Sequence, residues 1–198
     1  LARIDRARAV KRPAREQRTL EAMQIAVGAV AGFMRRAAAH ARTLGRDDLA
    51  DRLERIAHDP PRTFDDALQL VWIVHVVLAS ENRYANALGR IDQYLFPLFQ
   101  ADIAKGILTS KEALDSLCHV WTKIEGMHEV TNIAVGGLKP DGSDGTNELS
   151  YLCIEATKLV HSPSTNLSAR LHDQSPEAFH RACFDSIRTG IGFPAIFN

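Results

Sequence analysis

The sequence predicts a mostly helical α/β fold, helices in front and parallel βα units behind, on three observations. Apolar residues recur at helical spacing through roughly the first 128 of the 198 residues. From about residue 129 the pattern changes to β-branched runs bounded by glycine and proline turns. Those runs alternate with helical stretches as strand–helix–strand–helix–strand, the order that builds a parallel sheet. All 198 residues then belong to one domain, 1–128 mainly helical and 129–198 the first βα units.

Each element has a local cause. Residues 16–43 are rich in alanine and arginine, and Leu20, Met23, Val27, Val30, Met34 and Ala38 line up as one helical stripe. A short helix over 47–58 stops before Pro60-Pro61, which cannot continue it. Thr63 offers an N-cap, with Asp66 as a short-armed capping box, for a helix over 64–80. That helix is apolar almost all round, so it needs cover on every side. A helix is expected over 90–105, and Thr109 with Glu112 forms a full capping box for 110–126. Val130–Gly137 reads as a strand, and Pro140-Asp141-Gly142 as a turn. Residues 147–160 read as helix and 166–171 as an alternating strand. Ser175-Pro176-Glu177 starts a helix, with Ser175 as N-cap, that runs to about Thr189; a last strand covers 193–197.

Composition narrows the function. Lys+Arg and Asp+Glu are equal at 24 each, so no overall field draws nucleic acid or an anionic membrane. The local basic run from Arg3 to Arg18 is interrupted by Asp5 and Glu16 and reads as a solvated helix face. Cys118, Cys153 and Cys183 are widely spaced in apolar helical contexts, which reads as buried thiols in a reducing compartment, without a disulfide frame or a zinc site. No apolar run reaches membrane-spanning length, and no secretory signal is visible, so a cytoplasmic location is expected. The chain opens on Leu1 and stops at Asn198, and both ends read as cut. Nucleotide-binding glycine loops, zinc-protease and serine-hydrolase motifs are absent from the sequence. The eight histidines do not pair at metal-ligand spacing, and His75 reads as a hydrogen-bonded core residue.

Four blocks carry a family resemblance. Gly89-Arg90-Ile91-Asp92-Gln93-Tyr94-Leu95-Phe96-Pro97 follows an apolar helix and a short polar loop. Val135-Gly136-Gly137, Asp141-Gly142 and Asn147-Glu148-Leu149-Ser150-Tyr151-Leu152 form the second block. The third is Asn166-Leu167-Ser168-Ala169-Arg170-Leu171-His172, and the fourth Gly192-Phe193-Pro194-Ala195-Ile196-Phe197-Asn198. In order and spacing they resemble the glycyl-radical enzymes of the pyruvate formate-lyase-like and glycerol dehydratase-like group, over roughly 60–198.

The resemblance implies a ten-stranded β/α barrel wrapped in helices, of which this chain would be the helical layer and first strands, incomplete. It implies a thiyl-radical cysteine on one inner loop and a radical-storing glycine on another, acting on a small organic substrate. The glycyl radical would be installed by a separate iron–sulfur activating enzyme that uses S-adenosylmethionine, and the full-length protein would be a homodimer. No cofactor binds this chain directly on that reading. The cysteine loop should follow the Gly192–Asn198 block and the glycine lies further on, so this chain holds no catalytic residue and is expected to be inactive alone. Cys153-Ile154-Glu155 resembles the cysteine loop only superficially, since it falls inside the helix over 147–160.

For the substrate pocket, the resemblance puts Tyr84-Ala85 where dehydratase members present a His-Ser pair, so a glycerol-type hydroxyl contact is missing there. Asn82 and Asn86 flank that loop as hydrogen-bonding candidates. Phe197 stands where the family lines its pocket with an aromatic residue, and Arg170 is a candidate for gripping a carboxylate or, equally, for a structural ion pair. Arg90, Asp92 and Gln93 are assigned to scaffold contacts. The competing reading is a non-catalytic helical scaffold or partner-binding protein derived from the same fold, against which the all-apolar helix over 64–80 argues.

Overall fold

The computed structural model describes residues 2–81, 85–127 and 130–198. The chain divides into two compact units, Leu1–Pro61 and Arg62–Asn198.

The first unit is helical: α1 (Ala2–Arg8), α2 (Ala14–Thr43) and α3 (Asp47–Ile56). Pro13 separates α1 from α2. Small residues let α2 and α3 approach closely: Ala31, Ala38 and Ala41 are buried with Met34 on α2, and Ala50, Leu53 and Ile56 on α3. Arg42 near the end of α2 reaches Glu54 at 2.6 Å and Asp51 at 2.8 Å on α3, an exposed cluster worth little beyond orientation.

The second unit holds the sheet. In chain order it contains α4 (Phe64–Ser80), β1 (Ala85–Arg90), α5 (Ile91–Tyr94), α6 (Phe96–Ala104), α7 (Ser110–Gly126), β2 (Val130–Gly136), α8 (Glu148–Val160), β3 (Thr165–Arg170), α9 (Glu177–Ser186), a π turn at Ile187–Ile191 and β4 (Ala195–Phe197). The four strands lie in the order β1-β2-β3-β4, all parallel. Each crossover is helical, as parallel pairing demands.

One face of the sheet carries the core. Thr131, Ile133 and Val135 of β2 and Thr165, Leu167 and Ala169 of β3 are buried in strict alternation. Ile133, Val135, Leu167 and Ala169 join Trp121 and Ile124 of α7, Leu149, Cys153 and Ile154 of α8, and Phe179 and Cys183 of α9 in one cluster. Trp121 has its indole N–H satisfied by Thr157 Oγ1 at 3.0 Å, so α7 and α8 are tied through a buried bond as well as by packing. Phe64 meets Phe99 edge-on at 5.8 Å, bringing α4 onto α6.

Caps follow the sequence closely. Thr109 and Glu112 form the expected reciprocal capping box. At α4 the Thr63 hydroxyl accepts from Asp66 N–H, but the short Asp66 carboxylate accepts from Arg62 N–H, and Asp102 of α6 accepts from Phe64 N–H at 2.7 Å. The Pro140–Gly142 turn forms as expected, with Gly142 at φ 81 and its N–H on Lys139 O.

Four expectations need correction. The polar loop before Arg90 contains β1, although Ala85-Asn86-Ala87-Leu88-Gly89 has little intrinsic strand preference; pairing with β2 outweighs propensity. The helix expected over 90–105 is two, because Pro97 has no N–H for the carbonyl of Gln93 and instead sits in the first turn of α6. Ser175 does not cap α9: its hydroxyl accepts from His172 N–H at 3.0 Å, and Pro176 occupies the N-cap. That helix also ends at Ser186, where a π turn with Gly190 at φ 91 takes over.

Candidate active site on the open face of the sheet

Side chains alternate across a strand, so the residues between the core positions form a second face. Across it run three rows set by the parallel register: Ala87, Asn132 and Asn166; Ala134, Ser168 and Ala195; and Arg170 with Phe197. Ala85 and Val130 lie at the end where the strands begin. These side chains are exposed or half-buried, and most are small. A barrel whose interior is a packed core fills such positions with bulky branched residues. Here most are small; Asn132, Asn166 and Ser168 carry uncharged polar groups, and Arg170 carries a charge.

The pocket residues expected from sequence separate on this face. Asn82 and Tyr84 lie outside the described residues. Ala85 opens β1 and is exposed. Arg170 and Phe197 are register partners at the other end, 55% of Phe197 being exposed, and Phe197 O accepts from Leu171 N–H at 2.7 Å. Ala85 pairs with Val130 and Arg170 with Gly136, so about 20 Å of strand separates them at 3.3 Å per residue. Arg170 and Phe197 thus form one group, and Ala85 belongs to another. Asn86 joins neither. It pairs with the buried Thr131 and faces α4, beside His75, in an apolar groove of about 240 Å³ lined by Leu70, Val71, Val74, Leu78 and Leu88. His75 itself is buried, its ring 5.7 Å from that of Trp72.

Two residues of the open face escape a reading based on single residues. Asn166 donates from Nδ2 to Asn132 Oδ1 at 2.9 Å, across β3 and β2. The signal is in the sequence, because each asparagine stands between two positions whose side chains face the core, but their pairing needs the register.

The ends of the strands are braced from below. Arg90 donates to Gly136 O at 2.6 Å and Leu138 O at 2.8 Å, Gln93 donates to Gly145 O at 2.7 Å, and Asn147 donates to Asp92 O at 2.9 Å. Asp92, fully buried, accepts through Oδ2 from both Gly136 N–H at 2.7 Å and the Ser150 hydroxyl at 2.6 Å. Burial raises its carboxyl above the usual range, against the opposing pull of Ser150, Gly136, Gln93 and Arg90. These are the scaffold contacts expected of Arg90, Asp92 and Gln93. The Gly-Gly pair is equally constrained: Gly136 and Gly137 have φ of 72 and 79, and a Cβ on Gly136 would lie 2.7 Å from the Phe179 ring.

A further brace joins the loops after β2 and β3. His172 Nδ1 accepts from Gln174 N–H at 3.2 Å, which leaves Nε2 as the protonated nitrogen facing Asp144 Oδ1 at 3.0 Å. Burial works against the Asp144 anion, but Thr146 and His172 hold its carboxyl below the usual range.

None of the three thiols lies on the open face. Cys153 is fully buried in α8 with its pKa driven well up by burial, Cys183 is pushed up to about 11 by burial, and Cys118 is raised for the same reason. Among the described residues no group of three or more His, Cys, Asp or Glu is placed to hold a metal ion, and no helix is long and apolar enough to cross a membrane.

The second unit is thus a mostly helical α/β arrangement, a four-stranded parallel sheet with its core on one face and an open face on the other. Residues 2–198 match the pyruvate formate lyase-like family, and the chain belongs to that family of glycyl-radical enzymes. It is 33% identical over 167 residues to the 4-hydroxyphenylacetate decarboxylase glycyl radical subunit of Clostridioides difficile, covering 76% of this chain and 18% of that protein. It is 29% identical to the trans-4-hydroxy-L-proline dehydratase of the same organism, covering 90% of this chain and 26% of that one. Among solved structures, an enzyme of 1,2-propanediol dehydration in Roseburia inulinivorans superposes with a TM-score of 0.74 at 28% identity, over 90% of this chain and 24% of that one. The chain therefore spans about a fifth to a quarter of the length of these relatives.

Proposed function

We propose that this chain is the helical layer and four neighbouring strands of a ten-stranded glycyl-radical barrel, and that the full-length protein cleaves or dehydrates a small hydroxyl-bearing organic substrate. The observation that carries this reading is the open face itself: mostly small residues, with Arg170 as its charged member, where a packed barrel would have branched ones. The substrates named for the three relatives, 4-hydroxyphenylacetate, trans-4-hydroxy-L-proline and 1,2-propanediol, all carry a hydroxyl group. In this reading Asn82, Tyr84, Ala85, Arg170 and Phe197 contribute to the substrate pocket.

The residues present serve as wall and brace, and the radical-bearing cysteine and glycine come from parts of the full-length protein outside this chain. The segment alone is inactive. A separate S-adenosylmethionine iron–sulfur enzyme installs the radical, the full-length enzyme is a homodimer, and burial inside the barrel shields the radical from water and oxygen.

The test is anaerobic incubation of the full-length protein with such an activating enzyme, a reductant and S-adenosylmethionine, read by electron paramagnetic resonance. A glycyl radical is split into a doublet by its single α-hydrogen, and that doublet is the expected result. A protein that never develops the signal under conditions that activate the hydroxyproline dehydratase is not an enzyme of this type.

A further inference from the structure

We infer that Asn132 and Asn166 together form the hydrogen-bonding seat for the hydroxyl group of the substrate; this rests on the reading of the open face as the barrel's inner wall. Ala85 and Ala87, the open-face residues of β1 at that end, offer no side-chain hydrogen bond. The polar groups nearest to them are on the next two strands. Asn132 is the register partner of Ala87, and Asn166 the register partner of Asn132. Their row lies two residues beyond Ala85, about 7 Å along the strands, within the length of a three- or four-carbon substrate.

The chemistry of the pair suits a hydroxyl. The bond between them consumes Asn132 Oδ1 and one Asn166 N–H. A carboxamide has two N–H donors and a carbonyl acceptor, so Asn132 keeps both N–H groups and Asn166 keeps its carbonyl oxygen. A donor and an acceptor side by side match a group that both accepts and donates, which a hydroxyl does and a carboxylate does not. The Asn166–Asn132 bond also fixes both side chains before a ligand arrives, so little rotamer freedom is lost on binding. Ser168, in the next row beyond Asn166, adds a third uncharged polar group, while Ala134 and Ala195 beside it keep the space above open. The titratable member of this face, Arg170, is two rows further on.

The experiment uses the full-length protein before radical installation, titrated calorimetrically with trans-4-hydroxy-L-proline, 1,2-propanediol and 4-hydroxyphenylacetate. Each is compared with its deoxy analogue: L-proline, 1-propanol and phenylacetate. The parent should prefer the hydroxylated member of at least one pair by about tenfold, the value of one hydrogen bond in a partly enclosed site. Asn132→Leu and Asn166→Ala should erase that preference and leave the deoxy affinity unchanged. Asn132→Asp keeps the oxygen that accepts from Asn166 and removes the N–H donors; it should also erase the preference, and it covers the case in which Asn132→Leu does not fold. A parent without preference, a preference that survives substitution, or an equal loss for both members of a pair overturns the assignment. Equal loss would mark the pair as a brace or as the seat of a chain segment. The radical doublet is read on the same preparations: a doublet with unchanged discrimination defeats only the asparagine assignment, whereas no doublet in the parent defeats the glycyl-radical reading beneath it.

Discussion

At the scale of single residues, the least exposed acid among the described residues of the second unit sets the behaviour of the loop after β2. Asp92 takes two hydrogen bonds on one oxygen, from Gly136 N–H and Ser150, in a site dry enough to raise its carboxyl pKa. A carboxyl raised above its unfolded value contributes most below that value, and its contribution is lost as pH rises through the folded one. Asp92 thus contributes stability that fades as pH climbs through and above the ordinary carboxylate range. The lowered carboxyls of Asp48, Glu54, Glu112, Asp141 and Asp144 lose theirs as pH falls, so the part due to Asp92 is the difference between the parent and Asp92→Asn. Asp92→Asn should remove that contribution, because a carboxamide oxygen in the Oδ2 position keeps both bonds without a charge to bury. Asp92→Ala should instead cost roughly 2–4 kcal/mol at every pH, since it strands a buried N–H and a buried hydroxyl. Thermal unfolding of parent and variants from acid to neutral pH separates the two. An Asp92→Asn curve parallel to the parent's, or a parent that gains on Asp92→Asn as pH rises, would refute this account. Asp92 was legible from sequence as scaffold because it sits in a dense motif; Asn132 and Asn166 were not, because neither is informative until the register makes them neighbours.

At the scale of elements, two helices with similar caps should respond differently to losing them. Thr109 caps α7 through an exposed box with Glu112, whereas Asn147 caps α8 and also donates to Asp92 O and Gly145 O. Thr109→Ala should cost about 1 kcal/mol, and Asn147→Ala at least about twice that, because it also releases the loop between β2 and α8. Equal losses in denaturant unfolding would show that the tie from Asn147 to Asp92 carries no weight. The same contrast explains which elements the sequence disclosed. Helices with local start signals at Thr63 and Thr109 were legible almost to the residue, and so were β2 and β3, whose alternation is strong. β1 was hidden because its residues are small and its strand character comes from a partner more than 40 positions later, Ala85 on Val130. Ser175 was misread because its hydroxyl has two backbone amides within local reach, and the turn at His172 takes it.

At the scale of the whole molecule, the sheet and the surface around it point to further cover in the full-length protein. Among the described residues the outer edges of β1 and β4 have no strand beside them, an arrangement that parallel sheets rarely leave open to solvent. Apolar side chains cluster near both: Val74 and Leu78 of α4 are 42% and 46% exposed by the groove behind β1, and Ile196 and Phe197 of β4 are 41% and 55% exposed. The sequence foresaw this much, since the apolar helix over 64–80 has more hydrophobic surface than one neighbour can bury. If these surfaces are covered by the remaining strands of a barrel, the 198-residue segment expressed by itself should bind an apolar dye such as anilinonaphthalene sulfonate and self-associate, while the full-length protein should do neither. Val74→Lys with Leu78→Lys and, separately, Ile196→Lys should each lower dye binding by the segment. In the full-length protein the same changes should destabilise, because they would place a charge where a neighbouring element packs. The two opposite signs are the point of the experiment. A segment that stays monomeric, melts cooperatively and ignores the dye, or a full-length protein indifferent to all three lysines, would mean that these faces are true surface and that the sheet stops at four strands.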